Sequence, residues 1–471
     1  MRFISRISLL LLPGAMALSA GAADPWPAAR GSPRGEAALH WGNPDRMPLA
    51  EWHYAWKSRV RYKPGVAVWA SPALALVDGR PTAFIGGYDQ TLHALDLAGK
   101  RVLWRRMTNA EIAAAPVVGA AGGWPTVFFA SNDRTLYAVD ARGGATRWTR
   151  ELEPAAPTLG EADFTSPLLF GGRLYVAGFT YDRSLARNDQ RARLYALDPG
   201  DGRLLWRLDI GNGFVSEPIG YTAAGTPFVA VAARKGLLQS FSVAEARPRL
   251  AWSYQMPHEV LGACAVEEGA ANPVLVLGSK YGNLVALDAA TGRERWKRMA
   301  GNWFDNSPCI GVVDGAAVVF AGSHDYAVYA FRAADGERLW KRPLGGEVYA
   351  APVFLDLDGT PAVLAAALDN HLHTLDARTG RILASYFTGQ PIWDKINKGE
   401  NRWGSPAAVA AGADTVAVHG SFNGTVYVLP LARPCTLQAR ARSARGLWLS
   451  LGAVAAVFLG LVLPLAGRHP S

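Results

Sequence analysis

The sequence predicts an all-β fold: an eight-bladed β-propeller of four-stranded antiparallel blades, its N-terminal strand closing the last blade, plus one C-terminal transmembrane helix. Three observations predict it. A sequence unit recurs between residues 50 and 432, eight inner-strand starts recur with it, and residues 447–466 carry no charge. The abundance of Gly, Pro and Trp in 471 residues fits one large β domain better than two ordinary ones.

One unit reads as a small residue followed by Pro, an alternating apolar run, a turn, a second run ending in Ala-x-Asp, a Gly turn and a Trp. Asp96 to Trp104, Asp140 to Trp148, Asp198 to Trp206 and Asp288 to Trp296 keep one spacing. The sixth unit keeps the turn, with Arg332 in place of Asp and Trp340 at its end. The seventh has Ala384 where Trp is expected. The fourth is degenerate, with Ser242 for Asp and Trp252 two residues late. Period-two alternation marks strands, and Asp, Asn and Gly mark hairpins. A small sheet cannot bury both faces alone, so units of this kind stack around an axis. Trp56, Trp104, Trp148, Trp206, Trp252, Trp296 and Trp340 are read as structural, docking blade on blade through large apolar area.

The inner strands start at Ser71-Pro72, Ala115-Pro116, Ser166-Pro167, Glu217-Pro218, Ala263-Cys264, Ser307-Pro308, Ala351-Pro352 and Ser405-Pro406. The last unit ends at Pro430 without a fourth strand. Residues 52–60 supply one, because Trp56-Lys57 matches Trp296-Lys297 and Trp340-Lys341. Closure of this kind removes the open edges that invite aggregation.

The ends are set aside. Residues 1–22 read as a secretory signal: Arg2 and Arg6, an apolar run, then Ala20-Gly21-Ala22. No cysteine follows the run, so no lipid-modified N-terminus is expected. An N-terminal arm (23–50), the propeller (51–432), a basic linker (433–446), the transmembrane helix (447–466) and a short tail (467–471) complete the expected order. Twenty apolar residues span roughly 30 Å as a helix, about one hydrocarbon core. The arginines at 440, 442 and 445 precede that segment, a charge placement opposite to the usual bias for an exported domain. The formal charge of +9 resides mostly in these ends, which leaves the body near neutral and gives no nucleic-acid footprint.

The string Ala286-Leu287-Asp288-Ala289-Ala290-Thr291-Gly292-Arg293-Glu294-Arg295-Trp296 resembles the repeat of the quinoprotein-like propellers, the PQQ-like repeat. The resemblance spans roughly residues 50–432 and speaks for fold more than for function. One branch of that family contains dehydrogenases that hold pyrroloquinoline quinone and calcium. The other contains non-catalytic binding propellers, including an envelope lipoprotein that helps assemble outer-membrane proteins. The enzyme branch implies an adjacent-cysteine ring, whereas the cysteines here are Cys264, Cys309 and Cys435. The resemblance therefore implies the binding branch, with no cofactor expected. The expected protein is a monomeric, membrane-tethered propeller on the periplasmic side of the cytoplasmic membrane, a binding or scaffold module for an envelope protein or polymer. The alternative is a quinone-dependent dehydrogenase with divergent ligands, which would take pyrroloquinoline quinone and calcium.

Insertions place the binding face. The Trp-to-Pro spacing lengthens between Trp148 and Pro167, between Ala384 and Pro406, and between Trp56 and Pro72, and a hairpin grows between Thr180 and Arg193. All four map to the face shared by the outer-to-inner links and the second-to-third-strand hairpins, and long loops on a rigid scaffold are where binding usually resides. The residues before each inner strand are the binding-face candidates: Trp69, Glu111, Asp163, Phe164, Phe214, Glu217, Trp303, Asp305, Asn306, Tyr349, Arg402 and Trp403. The insertions add Arg183, Arg187, Arg191, Arg193, Trp393 and Lys395. Aromatics mixed with charges suit a protein or polymer ligand, although some of these residues are expected to cap strand ends. Glu111, Asp163, Glu217, Asp305 and Asn306 are a conceivable cation set. His371 and His373 share a strand face as zinc ligands would, yet His373 and His93 fall where other units have Tyr, a packing position. Cys264 and Cys309 occupy equivalent places in neighbouring blades, either bridged or buried as thiols.

Overall fold

The computed structural model describes residues 52–55, 70–153, 159–185, 190–233, 235–267, 269–270, 272–357, 359–369, 371–387, 407–411, 414–420 and 425–431. The expected signal, arm, basic linker, apolar segment and tail lie outside these residues. So do Trp56, Trp69, Arg187, Trp393, Lys395, Arg402, Trp403 and Cys435.

The described chain is a β-propeller. Seven antiparallel sheets have four strands each, and the sheet of residues 159–212 has five. Blades are numbered here from residues 73–107 as the first to residues 353–387 as the seventh. A closing sheet joins Ala407–Ala411, Asp414–Gly420 and Thr425–Leu431 to Trp52–Ala55, which pairs Trp52 with Val428 and Ala55 with Thr425. First strands adjoin around the axis, Ala73–Val77 lying between Val117–Ala121 and Ala407–Ala411.

Two parts of the expected fold are corrected. The expected eight-bladed propeller of four-stranded blades is not what is found: among the described residues seven sheets are four-stranded and the sheet of residues 159–212 has five strands. In the third blade the ten-residue strand Arg173–Asp182 outgrows its partner Leu168–Phe170 and pairs beyond it with Leu159–Phe164. An insertion expected as a loop and one expected as a hairpin thus hydrogen-bond to each other. Secondly, no helix among the described residues is long and apolar enough to cross a membrane.

The apolar core lies between sheets. Val274, Val276, Leu284, Ala286 and Trp296 of the fifth blade form one cluster with Ile310, Val319, Tyr329 and Phe331 of the sixth. The repeat motif explains how the sheets lock. In the turn Asp288–Gly292, the Asp288 carboxylate accepts the Thr291 N–H at 3.0 Å, and the Gly292 N–H returns to the Asp288 carbonyl at 2.7 Å. That turn leaves a glycine at φ +71 with no side chain, and the Trp252 ring of the fourth blade lies flat on it. The same ring donates its Nε1–H to the Ala289 carbonyl at 2.9 Å.

The arrangement recurs. Trp104 donates to Ala141 O, Trp148 to Pro199 O, Trp296 to Ala333 O and Trp340 to Ala377 O, at 2.8–3.0 Å. Their rings cover Gly144, Gly202, Gly336 and Gly380, where a Cβ would stand within 2.6–2.7 Å of the indole. Trp206 breaks the pattern. It faces the degenerate turn of the fourth blade, and its buried Nε1 has no hydrogen-bond partner. Arg173 reaches across instead and donates to the carbonyls of Val243 and Glu245 at 3.1 and 3.2 Å.

A differential follows for chemical denaturation. Trp296→Phe removes apolar volume and also strands the Ala333 carbonyl, whereas Trp206→Phe removes comparable volume and no hydrogen bond. The first variant is expected to lose about 1–2 kcal/mol more stability than the second. Equal losses would show that the indole N–H contributes nothing to blade docking.

Candidate binding face

The outer-to-inner links and the second-to-third-strand hairpins meet on one face, and backbone hydrogen bonds weld them. The His324 N–H donates to Trp303 O at 3.0 Å, Lys280 to Glu259 O at 2.9 Å, and Leu368 to Glu347 O at 2.9 Å. In the first, second, sixth and seventh blades the hairpin carries an Asp that holds a ring four residues on. Asp133 accepts from Tyr137 Oη at 2.6 Å, Asp89 lies 3.1 Å from His93 Nε2, and Asp325 accepts from Tyr329. These clamps make the hairpin tips rigid, so side chains there are pre-positioned for contact.

Between the fifth and seventh blades the tips form an arc of aromatic rings. Ring centroids run from His258 to Tyr281 at 4.7 Å, Tyr281 to Trp303 at 6.1 Å, Trp303 to His324 at 5.5 Å and His324 to Tyr349 at 3.9 Å. The Lys280 ammonium sits 4.9 Å from the Trp303 ring centre and pairs with Glu259 at 2.7 Å, so the arc carries a cation–π contact and a charge pair. Tyr281 is 61% and Tyr326 49% exposed, large values for rings of that size. Both tyrosines have left-handed backbones, φ 61 and 66, a conformation that disfavours bulky residues. The turn therefore tolerates strain to present a ring outward.

Beneath the arc lies a buried polar group. His324 and Asp305 are each about 5% exposed, with Nε2 and Oδ2 3.6 Å apart. Asn306 donates to Gly322 O at 3.1 Å and Val348 O at 2.7 Å, stapling the sixth blade to the seventh, while its Oδ1 and the His324 Nε2 lack hydrogen-bond partners. Burial, assisted by the Lys280 charge, pushes the His324 imidazole down to about 4 despite the nearby carboxylate.

The other sequence candidates distribute as follows. Trp303 and Tyr349 belong to the arc. Phe164 is a core residue packed edge-on against Tyr195, with 1% exposure. Phe214 packs against Phe179. The Glu217 carboxylate accepts from Ser166 Oγ at 2.6 Å, and that hydroxyl in turn accepts the Ala115 N–H at 3.0 Å, so Glu217 completes an inter-blade belt. Glu111 offers its carbonyl to Asn132 N–H at 2.9 Å. Asp163 is half-buried on the extra strand of the third blade, paired with Phe179. Arg183 and Arg191 are exposed, while Arg193 pairs with Glu153 at 2.7 Å and Asp209 at 3.0 Å. His258, Lys280, Tyr281, His324 and Tyr326 were not singled out from sequence. For the four at hairpin tips, Lys280, Tyr281, His324 and Tyr326, the signal was an aromatic or long side chain where Gly or Asn is usual.

The cation set does not assemble. Among the described residues, Asp369, His371 and His373 are the group of His, Cys, Asp or Glu side chains whose ligand atoms lie within 4.8 Å of one another. Glu111, Asp163, Glu217 and Asp305 are not part of such a group. Cys264 and Cys309 are buried free thiols, and burial pushes Cys264 up to about 12, far from a reactive redox pair.

Acid should weaken the fold through the same histidines. His324, His93 and His373 are all held below the ordinary histidine value of 6.5, in each case chiefly by burial. A depressed folded-state pKa means that the unfolded chain binds more protons. Stability is then complete above about 6.5 and falls as pH drops toward the folded values, by up to about 1.4 kcal/mol per pH unit for each group. The melting temperature is expected to fall between pH 7 and pH 5, and His324→Gln to flatten that dependence. An unchanged slope in the variant would remove His324 from the account.

The comparisons with known proteins come to the same architecture. No curated protein sequence matches the chain. Among solved structures, BamB from Moraxella catarrhalis is similar at 18% identity and TM-score 0.52, covering 76% of this chain and 96% of its own. A quinohemoprotein alcohol dehydrogenase from Pseudomonas putida HK5 is similar at 12% identity and TM-score 0.61, covering 88% and 83%. A europium-containing methanol dehydrogenase is similar at 14% identity and TM-score 0.60, covering 86% and 97%. At these identities the likenesses establish the fold alone. The family described as outer membrane protein assembly factor BamB matches residues 52–180, 132–382 and 302–433, and the chain belongs to that family.

Proposed function

We propose that the chain is a binding propeller of the cell envelope that holds a segment of an envelope protein against the aromatic arc of its fifth to seventh blades. The observation that carries this reading is the arc itself, with Tyr281 and Tyr326 projected into solvent at a backbone cost. Rigid aromatic side chains give large contact area at small entropic cost, and binding energy concentrates on residues of this kind. The Lys280–Glu259 pair adds a charged border of both signs, which suits a polypeptide better than a polyanion. The family supports an envelope location and a part in the assembly of outer-membrane proteins. The apolar leader at residues 1–22 is in keeping with export.

Site-specific photo-crosslinking in cells tests the proposal. A crosslinking residue at position 281 or 326 is expected to capture a discrete envelope protein, whereas one at the exposed Leu250, on an outer strand, is not. Changing Tyr281 and Trp303 together to Ala should weaken that partner's binding at least tenfold, about 1.4 kcal/mol, with the melting temperature nearly unchanged. Equal capture at 250 and 281, or full binding by the double variant, would overturn the reading.

A further inference from the structure

The hairpin clamp offers an internal comparison across blades. In the first, second and sixth blades an Asp at the tip holds a ring four residues on, and the residue between them is Thr91, Thr135 or Ala327. The seventh blade keeps the clamp, with Asp369 Oδ2 3.0 Å from His373 Nε2, but places His371 in between. Strand geometry puts residues two apart on one face. The two imidazoles accordingly stack at 5.5 Å between centroids and 25° between planes. One ligand atom from each of Asp369, His371 and His373 lies within 4.8 Å of the others.

From this geometry we infer that Asp369, His371 and His373 form a binding site for a divalent transition-metal ion, Zn2+ or Cu2+. Imidazole and carboxylate together select such borderline ions, and three protein ligands leave a tetrahedral position for water or a fourth ligand.

The surroundings hold the ligands in place. Asp369 is fixed by the Gly345 N–H on Oδ2 and the His371 N–H on Oδ1, both at 3.0 Å. Gly345 is needed for that approach, since a Cβ there would lie 2.7 Å from the carboxylate. His373 Nδ1 lies 2.8 Å from the Ser385 hydroxyl, which either donates or accepts. Without metal, Nε2–H donates to Asp369 and Ser385 donates to Nδ1. With metal, the proton sits on Nδ1 and Ser385 accepts it, which frees the Nε2 lone pair; a partner behind a ligating histidine commonly works this way. His371 Nδ1 rests 2.9 Å from the Asp369 carbonyl, and its side chain is 33% exposed, so the ring has room to close on an ion.

The test uses the untagged full chain stripped with chelator, then titrated with Zn2+ against a chromophoric competitor, with Cu2+ in a parallel series. One equivalent is expected to bind and to raise the melting temperature. His371→Thr rebuilds the tip of the first blade, keeps the Asp369–His373 clamp, and is expected to weaken binding at least thirtyfold. His93→Tyr, which alters the two-residue clamp of the first blade, should leave metal binding unchanged. Failure of the wild type to bind either ion stoichiometrically overturns the site. So does equal binding by His371→Thr, or an equal loss on His93→Tyr.

Discussion

The structure depends on one contact, an indole laid flat on a glycine. Trp104, Trp148, Trp252, Trp296 and Trp340 each cover a turn of the next blade and donate to the carbonyl beside it. For Trp296 these are Gly336 and the Ala333 carbonyl at 2.8 Å. The contact needs a residue without Cβ in the left-handed conformation, which the turn supplies with Gly336 at φ +73. It also needs a carbonyl that strand pairing leaves open. Together these requirements account for the spacing of Asp, Gly and Trp better than any property of a single blade. The motif reads as one repeat in sequence, yet its members act on two neighbours: Asp and Gly receive, and Trp gives.

The fourth blade tests that account from inside the molecule. Where the receiving turn lost its Asp and Gly, the donor Trp206 lost its partner. The Val243 carbonyl was then taken by Arg173 from the third blade at 3.1 Å. A buried carbonyl left unpaired costs about 1–3 kcal/mol, so a substitute donor at this place offsets a real penalty. The third blade is also the one with the extra strand, so both irregularities fall on one side of the ring.

How much of this was legible in the sequence depends on the distance over which each interaction acts. Alternation, hairpin turns and the Trp register are local, and the strands lie where they predict. The five-stranded sheet was not legible, because its extra pairing joins two insertions, Leu159 to Asp182 across a bulge, that neither insertion announces alone. The site was half legible. That the links and hairpins share a face follows from topology, but which way a side chain points beside a Pro-started strand does not. Phe164 and Trp303 both precede inner strands, and one is core while the other is half-buried in the arc. Glu217 and Asn306 were read as rim chemistry and proved to be staples between blades. The hairpin tips were passed over because a Tyr in a turn resembles an ordinary loop residue until its left-handed φ is seen.

The division of labour on the face follows from these staples. The inner ends of the blades crowd around the axis, and their polar groups at Ser166, Glu217, Asn306 and Ser307 are spent on joining one blade to the next. The hairpin tips are held from below by backbone bonds to the links and, in four blades, by the Asp clamp. A residue changed at a tip therefore disturbs little of the ring. Tips are where a propeller of this build can acquire rings, charges or a second histidine without weakening the contact that holds its blades together.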